Sequence, residues 1–191
     1  MSSYRPTWDE YFMHSALLIS TRSTCPRLSV GAVIVKNNQI IATGYNGSIT
    51  GEVHCEDTEC LIDDGHCIRT VHAEINAILQ CARTGTSLKD ATIYVTHYPC
   101  VNCMKALLQA GIKKIYYLYD YHNHYYCEHL CHLKNVDVIK MDDNKNSKLL
   151  DLSHLWYTLD VIYFIIKFMK GLNKRCIYLK MYMILMQDIL I

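Results

Sequence analysis

The apolar positions along the first 140 residues change period several times, and each change predicts an element. Residues 7–22 carry Trp8, Phe12, Leu17, Leu18 and Ile19 at loosely helical spacing. Thr7, Asp9 and Glu10 stand where a helix start favours a side-chain acceptor and negative charge. Two β-branched runs, 30–35 and 40–43, flank Lys36-Asn37-Asn38-Gln39 and predict a hairpin. Gly44-Tyr45-Asn46-Gly47-Ser48 reads as a glycine-punctuated loop, and 49–70 is irregular and rich in Cys, His and Asp. A helix over 71–82 ending near Gly85, a strand over 91–96, a helix over 100–110 ending at Gly111 and a strand over 114–119 follow. A helical stretch at 121–133 and a short strand at 136–140 complete the series. A hairpin followed by alternating helices and strands predicts a layered α/β domain with a mixed sheet.

Beyond that the text changes. Residues 142–148 are polar and read as a linker, so the chain divides into a domain over 1–145 and a C-terminal extension over 146–191. The extension's apolar stretches, 161–169 and 176–191, are broken by Lys167, Lys180 and Asp188 and fall short of a membrane span. They are expected to pack as helices on the domain or on a partner chain.

Composition narrows the reading in two places. A formal net charge of +1 gives no broad electrostatic case for nucleic acid or an anionic membrane surface. Arg5, Asp9, Glu10 and His14 interrupt any apolar core of an export signal, so the ten cysteines read as thiols and metal ligands in a reducing cytoplasm.

The sharpest chemical signal is His72-Ala73-Glu74, followed by Pro99-Cys100-Val101-Asn102-Cys103, with Cys100 28 residues after the histidine. One imidazole and two thiolates leave a tetrahedral zinc with an open position, which a catalytic zinc needs for water. Glu74 supplies the carboxylate that shuttles protons. Both Cys100 and Cys103 fall at a predicted helix start, where the dipole favours thiolate, and Pro99 restrains the chain before it. This H-x-E and P-C-x-x-C combination is the signature of zinc nucleobase deaminases.

With these motifs go Arg22-Ser23-Thr24-Cys25, Val30-Gly31-Ala32, Gly44 through Ser48, His72-Ala73-Glu74-Ile75-Asn76-Ala77, Tyr94 through Cys100 and Ala110-Gly111-Ile112-Lys113. Together they resemble the deoxycytidylate (dCMP) deaminases, especially the bacterial and phage branch that includes the late-competence deaminases. The likeness spans roughly residues 5–140. The resemblance implies a three-layer α/β/α cytidine-deaminase-like fold with a central five-stranded mixed sheet. It implies dCMP as substrate, dUMP and ammonia as products, a link to dTMP synthesis, and a homo-oligomer, commonly a hexamer. It puts His72, Cys100 and Cys103 on zinc and Glu74 on proton transfer. Asn46 would contact deoxyribose, and Tyr121 would lie near phosphate. Regulated members respond to dCTP with Mg2+ and to dTTP, at positions matched by Gly44, Tyr45, Gly47 and Arg83.

A second metal is expected from Cys25, His54, Cys55, Cys60, His66 and Cys67, which the catalytic zinc does not need. The resemblance points to Cys25 and Cys55 in a structural zinc site. Cys60 and Cys67 are the preferred remaining ligands, with His66 as substitute. The rival readings are a deaminase of cytidine, of tRNA adenosine or of a riboflavin precursor, and a catalytically silent zinc-stabilised protein of DNA uptake. Near-zero net charge argues against a tRNA substrate, and Glu74 against a silent protein.

Overall fold

The computed structural model describes residues 5–142. The expectations for the extension over 146–191 and for its boundary lie outside the described residues. A five-stranded sheet forms the centre. Its strands are β1 (Gly31–Lys36), β2 (Gln39–Tyr45), β5 (Thr92–His97), β6 (Lys114–Tyr119) and β7 (Asp137–Lys140), in the order β2-β1-β5-β6-β7. β1 runs antiparallel to β2 and β5, whereas β5, β6 and β7 are mutually parallel, so the sheet is mixed. A separate two-stranded ribbon, β3 (Ile62–Asp63) and β4 (His66–Cys67), punctuates the irregular segment.

The sheet's two faces are read directly from side-chain alternation. Val33, Val35, Tyr94 and Leu118 pack with Phe12, Met13 and Ala16 of α1 (Trp8–Ser20). Ala32, Ile34, Ile93, Val95 and Ile115 face the other way, onto α2 (Ala73–Thr84), α3 (Val101–Ala110) and α4 (Tyr125–Lys134). Three layers result, as the sequence predicts. Ile34, Ile93, Met104, Leu107, Ile112 and Ile115 are fully buried, each a contribution of about 1.5–3 kcal/mol from transfer out of water.

Local signals explain the boundaries. Thr7 and Glu10 cap α1 reciprocally, with Glu10 N–H donating to Thr7 Oγ1 at 3.3 Å and Thr7 N–H to Glu10 Oε2 at 2.8 Å. Asn37 (φ 52°) and Asn38 (φ 59°) form the left-handed two-residue turn that a tight hairpin requires.

The buried positions of α1 are Glu10, Phe12, Met13, His14 and Ala16, while Trp8 and Leu18 are 54% and 70% exposed. Two sequence expectations need correction. The helix expected over 121–133 begins at Tyr125, with His124 as its N-cap. Finally, β2 continues through Gly44 and Tyr45, so these are strand and not loop. Gly44 is needed because α2 lies directly on it: a Cβ would sit 2.1 Å from Ala73 O and 2.6 Å from Ala77 N. That contact fixes where the first turn of α2 stands.

Candidate metal and catalytic site

His72 and Cys100 are the N-cap residues of α2 and α3, with extended backbones at ψ 152° and 166°. Neither side chain turns back to cap its helix, so both remain available as ligands. His72 therefore precedes the helix on which the sequence reading put it. Cys103 lies in the first turn of α3 and Glu74 in the first turn of α2. The parallel strands and the Gly44 contact thus bring two helix starts together.

His72 Nδ1 lies 3.5 Å from Cys100 Sγ and 3.3 Å from Cys103 Sγ, and the three ligand atoms lie within 4.8 Å of one another. Zinc bonds of about 2.0 Å to nitrogen and 2.3 Å to sulfur, at tetrahedral angles, require ligand atoms roughly 3.5 Å apart. The donor set and its spacing fit zinc.

The three ligand groups act strongly on one another's protons. Cys100 is drawn down to about 4, first by the hydrogen bond from Cys103 and then, against burial, by His72. Cys103 is pushed up by its bond to Cys100, by burial and by Glu74. His72 is raised, first by its contact with Cys100. Glu74 is 4% exposed, and burial raises its carboxyl above the ordinary range.

A cavity of about 890 Å³ opens over this group. His72, Glu74 and Cys100 line it together with Asn46, Tyr121, Arg27, His66, His97, Tyr98, His122 and His124. Asn46 is 6% exposed and doubly used: Oδ1 accepts from Val30 N–H at 2.8 Å, and Nδ2 donates to Leu28 O at 2.7 Å. One amide hydrogen and one lone pair remain for a ligand. Tyr121 is 37% exposed at the cavity wall, its N–H bonded to Asn123 Oδ1. Sequence reasoning missed Arg27, His97, Tyr98, His122 and His124 as cavity residues. No period or motif marks Arg27, since it belongs to an irregular link whose position is set by Asn46.

A second group forms in the irregular segment. The Sγ atoms of Cys55, Cys60 and Cys67 lie within 4.8 Å of one another, with Cys55 and Cys67 3.7 Å apart. Cys25 is outside this group, though its charge acts on Cys60. His66, expected as a substitute ligand, lines the cavity, as do Cys25 and Cys67, and lies outside the three-thiol group. His54 Nδ1 is buried without a hydrogen-bond partner. The cysteines at all these positions are free thiols.

The residues expected at an effector site are not gathered by the cavity. Gly44 is covered by α2, Gly47 is bridged to Val71, and Tyr45 O accepts from Asn76 Nδ2 at 2.8 Å. Arg83 is exposed in the last turn of α2, opposite the helix end that carries the site.

With this geometry in place, comparison with known proteins is decisive. Residues 6–119 match the model of the cytidine and deoxycytidylate deaminase zinc-binding region. The chain belongs to the cytidine and deoxycytidylate deaminase family. It is 54% identical over 138 residues to ComE operon protein 2 of Bacillus subtilis, covering 72% of this chain and 73% of that one. Deoxycytidylate deaminase of Schizosaccharomyces pombe is 36% identical over 129 residues, covering 62% of this chain and 39% of the relative. The crystal structure of dCMP deaminase from the cyanophage S-TIM5, in complex with dCMP and dUMP, superposes with a TM-score of 0.64 at 36% identity. That match covers 72% of this chain and 99% of the phage chain. A zinc-binding hydrolytic deaminase with a cytidine-deaminase-like fold is therefore established. Among the described residues no helix is long and apolar enough to cross a membrane.

Proposed function

We propose that the chain hydrolyses dCMP to dUMP and ammonia, supplying the nucleotide from which dTMP is made. One observation carries this reading beyond the family. The cavity that holds His72, Cys100 and Glu74 is also walled by Arg27, His66, Tyr121, His122 and His124, a set suited to a phosphate. Arg27 spends one donor on a long bond to Gly65 O at 3.5 Å, which leaves most of its guanidinium for an anion. The names of the relatives, among them the phage enzyme bound to dCMP and dUMP, point the same way.

His72, Cys100 and Cys103 would hold the zinc. When bound, the metal would lower the pKa of a water to near neutral. Glu74 is placed to take a proton from the attacking water, deliver it to ring N3, and then carry the second proton to the departing amine. Its burial keeps competing water away from these transfers. Overall, water adds at C4, the C4–N4 bond breaks, and ammonia leaves. Asn46 spends its free amide hydrogen or lone pair on the sugar hydroxyl.

The same reading includes a second, structural zinc at Cys55, Cys60 and Cys67, and keeps Cys25, which lies outside that trio but whose charge acts on Cys60, as the fourth ligand the resemblance implies. It includes a cytoplasmic setting, in keeping with free cysteines throughout the described residues. A homo-oligomer, commonly hexameric, regulated by dCTP with Mg2+ and by dTTP follows the family pattern. dCMP saturation with and without dCTP-Mg2+, repeated with Arg83→Glu, tests the regulation, and hyperbolic curves unmoved by dCTP would remove it.

The phosphate assignment is tested by Arg27→Ala. The variant is expected to raise KM for dCMP by about tenfold, as a lost charge-assisted contact does, with cytidine turnover unchanged. An unchanged KM for dCMP would detach Arg27 from the substrate.

A further inference from the structure

A polar chain beside the site has no part in the proton transfers. His97 ends β5, three residues before Cys100, on the sheet face shared by Ile93 and Val95 that carries α2 and α3. Its half-buried ring lies 5.2 Å from the Tyr119 ring and lines the cavity. Burial lowers its pKa from the ordinary histidine value, so the ring is neutral near pH 7.

The neighbouring Thr96 decides which ring nitrogen holds the proton. Thr96 is 1% exposed. Its hydroxyl oxygen accepts from Gly31 N–H at 3.2 Å and lies 3.0 Å from His97 Nδ1. A buried hydroxyl also needs an acceptor for its own hydrogen, and among the described residues Nδ1 is the partner in reach. Thr96 therefore donates to Nδ1, and the imidazole keeps its hydrogen on Nε2. The cavity wall thus carries a neutral, pre-oriented N–H donor.

A neutral donor suits a neutral carbonyl better than a phosphate, for which Arg27 already stands in the same cavity. On a cytosine ring, the amine at C4 and the N3 acceptor are engaged by the reaction. O2 is the acceptor left over. We propose that His97 is a specificity residue whose Nε2–H donates to the pyrimidine O2, holding the ring in register with Glu74. This inference rests on the deaminase reading above.

The test compares dCMP with 2-thio-dCMP, whose sulfur is a poor acceptor, in the unmodified enzyme and in His97→Phe and His97→Gln, with zinc content measured in each. The unmodified enzyme is expected to prefer dCMP over the thio analogue by about tenfold in kcat/KM, the scale of one lost hydrogen bond. His97→Phe should erase that preference by lowering the dCMP value alone, and His97→Gln, which keeps a donor, should restore part of it. If the phenylalanine variant does not retain zinc, the comparison is made with His97→Leu. An unchanged oxo-to-thio ratio in the variants would overturn the role of His97 and leave the deaminase reading standing. Absence of dCMP turnover in the unmodified enzyme would overturn both.

Discussion

The two groups of sulfur and imidazole ligands are held by different kinds of structure. His72, Cys100 and Cys103 stand at the starts of two helices, α2 packed on β2 and β1 with its start seated on Gly44, and α3 linking the parallel strands β5 and β6. Cys55, Cys60 and Cys67 come from a 49–70 segment whose regular structure is limited to two strands of two residues. The first group is backed by the apolar core, so its geometry exists before a metal arrives. The second has little apolar backing: Val53, Leu61, Ile62 and Ile68 are all exposed. A metal proposed at the second group would therefore contribute partly to folding of the segment, whereas one at the first would be free to activate water.

The largest effect expected from this contrast is loss of chemistry without loss of fold. Cys100→Ser should empty the catalytic position and abolish turnover, while the sheet and the thiol group of 49–70 persist. Zinc content and circular dichroism check this, and full occupancy of the catalytic position would contradict it. Glu74→Gln is a finer cut. Zinc should remain, and kcat should fall by at least about 100-fold, the scale for losing a general acid/base.

Cys60→Ser should produce the mirror image. Catalytic zinc is expected to stay, but limited proteolysis within 49–70 should accelerate, and KM for dCMP should rise because His66 and Thr70 of this segment line the cavity. Cleavage at the unmodified rate would show that the thiols do not order the segment. Gly44→Ala tests the backing of the first group. A methyl 2.1 Å from Ala73 O must displace α2, at a cost of about 3 kcal/mol read from thermal unfolding. The smallest effect lies far from both groups. Thr7→Ala removes one half of the α1 capping box and should lower stability by about 1 kcal/mol with kcat unchanged.

The same contrast explains what could be read from the sequence. Period and turn chemistry are local, so the hairpin at Asn37-Asn38, the glycine ends of α2 and α3 and the layered fold were legible. The grouping of His72, Cys100 and Cys103 was legible because potential ligands at fixed spacing near two helix starts mark a metal site. His72 lay one residue off its assigned element because an N-cap has a strand-like backbone and carries no helical period. In 49–70 no period exists, so the sequence could not say which thiols meet: Cys55, Cys60 and Cys67 come together, while His66 lines the cavity with Cys25 and Cys67. Gly44 looked like a loop glycine because its role depends on a helix that begins 29 residues later, a contact that composition does not reveal.

The central claim is that a preformed zinc and Glu74 site shares its cavity with a phosphate-binding wall. Turnover of dCMP, CMP and cytidine by one zinc-loaded preparation, followed as ammonia release and product mass, tests it most directly. The account predicts rapid conversion of dCMP to dUMP, with cytidine hardly attacked. Equal rates on dCMP and cytidine, or no turnover of any of the three, would contradict it.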